Sequence, residues 1–281
     1  MSGSITVQGV RVPSFMYGTA WKEERTEELT RAALQAGFRA IDTANQRKHY
    51  VEAAVGAAVA ASGIARDELF LQTKYTYARG QDHRLPYDAR AEIATQVQQS
   101  FTSSLEHLGV DTIDSYVLHG PWSHGWSRED RAAWRSMESL HAQRKVRLLG
   151  VSNVAIDQLE LLCAEAHVRP AFVQNRCYAR TGWDREVRAF CKQYGIVYQG
   201  FSLLTANQRE LASKTVTTIA ARLGATVAQV VFRFAQRVGM LPLTGTSNRV
   251  HMREDLASAD FELLPPDVAA IRLSVSPGGE R

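Results

Sequence analysis

Asp42, Tyr50, Lys74 and His119 are the residues of this chain best suited to chemistry, because each stands at or just past the end of a short apolar run. Asp42 closes Phe38–Ile41, Lys74 closes Leu69–Thr73 and His119 closes Tyr116–Leu118, while Tyr50 follows the first run in a polar connection. A carboxylate, a phenol, an ammonium and an imidazole at one edge of a parallel sheet have the complementary charges needed to tune a proton donor. Their convergence depends on the elements that carry them.

Those elements alternate. An apolar alternation over Ile5–Val12, interrupted by Gln8-Gly9, predicts a small β-hairpin. Eight strand-like runs follow, at 15–18, 38–41, 69–73, 113–118, 146–151, 171–174, 196–201 and 240–243. Helical patterns lie near 24–36, 51–62, 90–109, 128–144, 155–166, 184–194, 208–238 and 249–258. In the third of these Ile93, Val97, Phe101, Leu105 and Leu108 share a face, and Gly37, Gly109, Gly195 and Gly239 stand where a helix C-terminus wants a left-handed residue. The long pattern at 208–238 is expected to break at Gly224-Ala225-Thr226, with Thr226 capping the second piece. The repetition predicts an α/β fold, a single (β/α)8 barrel over residues 1–281 with a short N-terminal hairpin. A doubly wound sheet would advertise a dinucleotide site by G-x-G-x-x-G, and the chain contains none. In a barrel, active sites form at the C-terminal strand ends, where Asp42, Lys74 and His119 would be neighbours.

Composition bounds the function. With 281 residues, 45% hydrophobic and 22% charged, the chain suits a globular protein with ample core. No stretch has the length of a membrane span and the N-terminus lacks a signal-like apolar core, so a cytoplasmic address is the expectation. Cys163, Cys177 and Cys191 follow no metal-ligand spacing and read as reduced thiols. The net charge of +4 is scattered, which argues against a nucleic-acid partner.

Several motifs together resemble the aldo-keto reductases, barrel oxidoreductases that bind a nicotinamide cofactor without a Rossmann fold. Gly-Phe-Arg-Ala-Ile-Asp-Thr-Ala (37–44) is similar to the family's strand-two signature, with Glu52 and Val55-Gly56 in the following helix. Leu-Gln-Thr-Lys (71–74) is similar to the lysine motif, Tyr-Val-Leu-His-Gly-Pro-Trp (116–122) to the histidine motif, and Leu-Gly-Val-Ser-Asn (149–153) is the most specific match. The likeness runs from the hairpin to about residue 264. It implies that Tyr50 donates the proton to a carbonyl oxygen while carbon receives hydride from the cofactor. Lys74 would lower the phenol's pKa, Asp42 would orient Lys74, and His119 would hydrogen-bond the carbonyl.

Two departures qualify the resemblance. Relatives commonly carry the tyrosine about five residues after the aspartate, whereas position 47 here is Arg and Tyr50 comes eight residues on. Counting back from Glu52 and Val55-Gly56 points to His49, which stands as Tyr50's rival. Arg47 and Lys48 in the same loop read first as a solvated basic loop, with attraction of an anionic substrate as the alternative. The resemblance further implies cofactor contacts from Gly18, Thr19, Ser152, Asn153 and Asn175, with Phe201 against the nicotinamide and Ser202 and Leu204 at the pyrophosphate. Thr246, Ser247, Asn248, His251, Glu254 and Asp255 would meet the adenosine end. The second departure lies here: Gly245 and His251 stand where strongly NADPH-selective relatives carry Lys and Arg, with Arg249 and Arg253 close enough to compensate. NADPH is the expected cofactor, with NADH as the alternative.

The substrate side rests on Trp21, Tyr77 and Trp122, with Trp126, Tyr178 and Trp183 also after strand ends, and suggests an apolar mouth suited to an aromatic or bulky carbonyl compound. The short tail at 276–281 implies an open pocket. Reduction of an aldehyde or ketone is the leading reading. A cofactor-binding redox sensor with little turnover is the alternative, and a metal-dependent hydrolase is disfavoured because no carboxylate cluster or His-x-His accompanies Asp42 and His119. Oligomeric state is not written in the sequence.

Overall fold

The computed structural model describes residues 3–273. Strands β1 (Ser4–Val7) and β2 (Val10–Pro13) form the N-terminal antiparallel hairpin. Its turn needs two left-handed residues, and Gln8 and Gly9 supply them with φ of 47° and 81°. Eight parallel strands then close a barrel: β3 (Met16–Gly18), β4 (Ala40–Asp42), β5 (Phe70–Tyr75), β6 (Ile113–Leu118), β7 (Val146–Ser152), β8 (Phe172–Arg176), β9 (Val197–Phe201) and β10 (Met240–Thr244), with β10 returning to β3.

Outward-facing strand residues such as Tyr17, Ile41, Leu71 and Tyr116 pack under the helices in one large core. A second, smaller core fills the floor of the barrel. There Ala40, Phe70 and Phe172, each the first residue of its strand, meet Met16, Leu148 and Leu241, and Val7, Val10 and Val12 of the hairpin close the end. The hairpin is therefore a plug, which leaves the opposite, C-terminal end of the barrel for a site.

The main helices are α1 (Thr26–Ala36), α2 (Glu52–Ala60), α3 (Ile93–Leu108), α4 (Arg128–Ala142), α5 (Ile156–Glu165) and α6 (Arg185–Tyr194). Gly37, Gly109 and Gly195 cap α1, α3 and α6 in the left-handed region, as their positions predict. The pattern at 208–238 breaks at Gly224, where Thr226 accepts from Gln229 N, but also at Ala212-Ser213, giving α7 (Gln208–Leu211), α8 (Lys214–Leu223) and α9 (Val227–Arg237). The second break was legible in Ser213, whose hydroxyl caps α8. After α10 (Arg249–Leu256) comes α11 (Pro265–Leu273), absent from the sequence expectation although Pro265-Pro266 is a helix-start signal. The tail at 276–281 lies outside the described residues. No single described helix is long and apolar enough to cross a membrane, and all three cysteines are buried and free.

Candidate active site

Strand register brings the first three residues together. Asp42 pairs with Gln72 across β4 and β5, and Lys74, two residues further along β5, faces the same interior. Lys74 Nζ lies 2.7 Å from both Asp42 carboxylate oxygens and 2.8 Å from the Thr43 carbonyl. Thr73, between Gln72 and Lys74, points the other way and donates to Glu52 of α2. The strand thus runs one residue past Lys74, to Tyr75, rather than ending before it. His119 follows β6, its Nδ1 2.7 Å from Thr76 Oγ1.

Tyr50 reaches this group through an ordered loop. Asn45 N bonds the Lys74 carbonyl, Gln46 Nε2 bonds the Gly80 carbonyl, and the Gln46 carbonyl then accepts from the backbone of His49 and of Tyr50. That single turn carries the chain from Gln46 to Tyr50. The Tyr50 ring comes to 5.3 Å from Lys74 Nζ and 6.0 Å from the His119 ring. His49 also lines the cavity, its ring 3.6 Å from that of Trp21, while its carbonyl accepts from Trp21 N. The two rivals therefore line the same cavity at different places, Tyr50 beside the Asp42–Lys74 pair and His49 against Trp21.

Burial dominates the electrostatics. It pushes the Tyr50 phenol well above its ordinary range, with the Asp42 charge adding to the rise, so the expected lowering by Lys74 is not what the pocket produces. The physical reason is that Lys74's charge is already engaged by Asp42. Burial pulls Lys74 down, against Asp42, which holds it up. His119 is lowered to about 3, by burial first and then by Lys74 and His49, so its imidazole is neutral near pH 7.

A cavity of about 840 Å³ opens over these groups at the C-terminal mouth. Asp42, Tyr50 and His119 line it; Lys74 stands directly behind Asp42, fully buried. Gly18, Trp21, Ser152, Asn153, Phe201, Ser202, Leu204 and Thr246, all singled out from the sequence, also line it. Asn153 and Ser202 adopt φ of 52° and 56°, left-handed turns that aim two strand-end loops at the opening.

Other expected contacts are displaced from the wall. Asn175 does not line the cavity: its amide is spent on Val154 N, Val154 O and Asp184, which pins the loop after β7. Its neighbour Gln174 faces the cavity instead, since side chains alternate along β8. Thr19 is buried with its hydroxyl on the Asp42 carbonyl. Tyr77 is buried against Tyr75 and donates to Asp130, and Trp122 packs edge-on against Tyr77 at 5.1 Å, so neither lines the mouth. Trp126 and Trp183 are buried as well. Past β10, Ser247 and His251 are exposed, and Glu254 is half-buried, outside the cavity wall. Asn248 caps α10, and Asp255 is buried, accepting from Thr244 Oγ1 at 2.7 Å. Lys22, Gln46, Gln174 and Arg176 are wall residues that motif reading missed. Lys22 and Arg176 immediately follow or precede recognised positions, but their side-chain direction is a tertiary property. Lys22 reaches across the opening to the Gly245 carbonyl, and the Arg176 guanidinium lies 6.0 Å from the Phe201 ring.

A closed parallel barrel thus carries a Lys–Asp pair, a phenol and a neutral imidazole beneath one cavity. The aldo/keto reductase family profile matches residues 14–274, and the chain belongs to that family. It is 31% identical to a glyoxal reductase of Bacillus subtilis, over 94% of this chain and 89% of the relative. It is 34% identical to an aldo-keto reductase of Mycolicibacterium paratuberculosis, over 89% of this chain and 81% of the relative. Among solved structures, an aldo/keto reductase from Brucella melitensis superposes with a TM-score of 0.84 at 28% identity, covering 98% of this chain and all (100%) of its own. The fold is shared too with a Bombyx mori aldo-keto reductase solved in complex with NADP, at a TM-score of 0.82 and 24% identity, over 98% and 93% of the two chains. The protein is an oxidoreductase of the carbonyl-reducing kind.

Proposed function

We propose that this protein reduces aldehydes or ketones to alcohols with NADPH, Tyr50 delivering the proton. The observation that carries this reading is the position of the Tyr50 ring, 5.3 Å from Lys74 Nζ and 6.0 Å from the His119 ring. The wall fits a nicotinamide dinucleotide in its donors and charge. Ser152, Asn153 and Gln174 offer a cluster of hydroxyl and amide groups for a carboxamide, and Phe201 an aromatic face. Lys22 and Arg176 leave the wall cationic, since the charge of Asp42, also on the wall, is neutralised by Lys74, and that suits a pyrophosphate. The cofactor supplies hydride to the carbonyl carbon. Tyr50 O–H donates to the carbonyl oxygen, and burial keeps the phenol protonated and ready to donate near pH 7. When the Thr76 hydroxyl donates to His119 Nδ1, the proton of the neutral imidazole sits on Nε2, and that N–H polarises the same carbonyl oxygen.

The Bacillus subtilis relative's name, glyoxal reductase, puts small dicarbonyls beside aromatic aldehydes in the substrate panel. The test is NADPH oxidation by wild type and Tyr50→Phe. The variant should bind NADPH normally and lose about 10²–10⁴-fold in the chemical step, the usual worth of a positioned acid. A near-wild-type rate in Tyr50→Phe, with His49→Ala inactive, would transfer the donor role to His49.

A further inference from the structure

Beneath the cavity, three buried glutamines on different strands are joined to Asp42. Gln72 Nε2 donates to Asp42 Oδ1 at 2.7 Å and to Gln199 Oε1 at 2.8 Å. Gln174 Nε2 donates to the same two oxygens, at 3.0 and 2.9 Å. Gln199 Nε2 returns a bond of 3.0 Å to Gln72 Oε1. Gln72 and Gln199 are fully buried, and Gln174 is 3% exposed. The set spans β4, β5, β8 and β9, almost the full width of the barrel, and register aligns its members: Asp42 with Gln72, and Gln174 with Gln199.

Burying three amides is unfavourable unless they are hydrogen-bonded, and an apolar layer like the floor below would fill the same space without that demand. The network also has directional consequences. Asp42 Oδ1 receives three donors, from Lys74, Gln72 and Gln174, so the carboxylate has one orientation. Both recorded donations of Gln174 Nε2 go into the network, which fixes its amide and leaves Oε1 as the group available to the cavity wall. Gln199 is the shared acceptor that holds Gln72 and Gln174 in these poses, yet it does not itself line the cavity.

We propose that Gln72 and Gln199 are positioning residues which tie the proton-donor side of the site, through Asp42 and Lys74, to the cofactor-carboxamide side, through Gln174. The proposal rests on the reductase reading above and goes beyond it: two residues remote from the reacting atoms set the orientation of both halves together. Because the four side chains act as a unit, breaking it at either glutamine should produce effects that do not add.

The experiment compares wild type with Gln199→Met, Gln72→Met and the double variant, methionine matching glutamine in length. NADPH affinity is read by fluorescence titration and the hydride step by single-turnover NADPH oxidation. Gln96→Met serves as control, since Gln96 is a buried amide bonded to Ala89, Ala91 and Tyr75, outside the network. Gln199→Met should weaken NADPH about three- to tenfold, the worth of one hydrogen bond, and slow the hydride step by a similar factor. The double variant should lose little more than either single one. The control should lower only the melting temperature. Wild-type affinity and rate in folded Gln199→Met, or strictly additive losses, would overturn the proposal. Should Gln199→Met fail to fold, Gln72→Met read by the same titration and single-turnover assay answers the same question. Wild-type affinity and rate in folded Gln72→Met also overturn the proposal. A wild type that neither binds NADPH nor reduces any carbonyl sinks the reductase reading instead, so the two failures are distinct.

Discussion

The two ends of the barrel interior are built on opposite rules. At the floor, Met16, Ala40, Phe70, Leu148, Phe172 and Leu241 meet three valines of the hairpin, with no charged side chain among them. Nearer the mouth, on β4, β5, β7, β8 and β9, stand Asp42, Gln72, Lys74, Ser152, Gln174 and Gln199, all buried and all hydrogen-bonded. The floor needs only volume and apolar surface, so its members are interchangeable within packing limits. The upper layer needs direction, since each buried donor must find its acceptor. Both layers hold the fold together, but only the second positions groups for chemistry.

The sharpest way to break the upper layer is Lys74→Met. It leaves the Asp42 carboxylate buried without its cation, which should destabilise the fold by about 3–5 kcal/mol. It should also slow hydride transfer by at least about 10²-fold, read by single-turnover NADPH oxidation alongside urea unfolding. At the floor, Phe70→Ala should cost a comparable 3–5 kcal/mol, approximately, through the cavity it leaves, yet NADPH affinity measured below the unfolding midpoint should be unchanged. A loss of affinity there would show that the two layers are not separable.

Asp255 extends the comparison to pH. Burial raises its carboxyl to about 6 from the ordinary 3.8, so the folded state holds the proton more tightly than the unfolded chain. Its contribution to stability is therefore full below about pH 4 and is lost as pH rises through 6, a change of about 3 kcal/mol. Asp255→Asn keeps an oxygen for the Thr244 hydroxyl and should flatten that slope, as measured by urea unfolding at pH 4 and pH 7. The smallest expected effect belongs to Thr76→Val, which removes the hydroxyl that orients His119. It should lower kcat/KM for the carbonyl about tenfold and leave NADPH affinity intact, if one hydrogen bond to the imidazole is what fixes its tautomer.

Much of the fold was legible because the eight strand patterns and the glycine stops reflect local physics, and the barrel follows from their repetition. Asp42, Lys74 and His119 were legible because they lie on strands or directly after them, where register decides position. Tyr50 was harder, because it sits in a loop whose length departs from the family's usual spacing. The turn closed by Gln46 decides where it goes, and nothing local distinguishes that turn from others. Asn175 and Gln174 show the same limit on a strand, where a one-residue difference exchanges wall for core. Tyr77 and Trp122 follow strand ends as a mouth residue would, and only their packing on each other and on Asp130 takes them out of it.

The sequence by itself therefore determined the alternation of strand and helix, the closing of a barrel and the chemical types of the groups at its mouth, because these depend on periodicity and residue identity. The tertiary structure alone decided that Tyr50 rather than His49 stands beside Lys74, and that Gln72, Gln174 and Gln199 join across the barrel to hold Asp42. Both outcomes require contacts between residues up to 132 positions apart in the chain, and hydrogen-bond partners at such separations are fixed by strand register and closure, not by any local pattern.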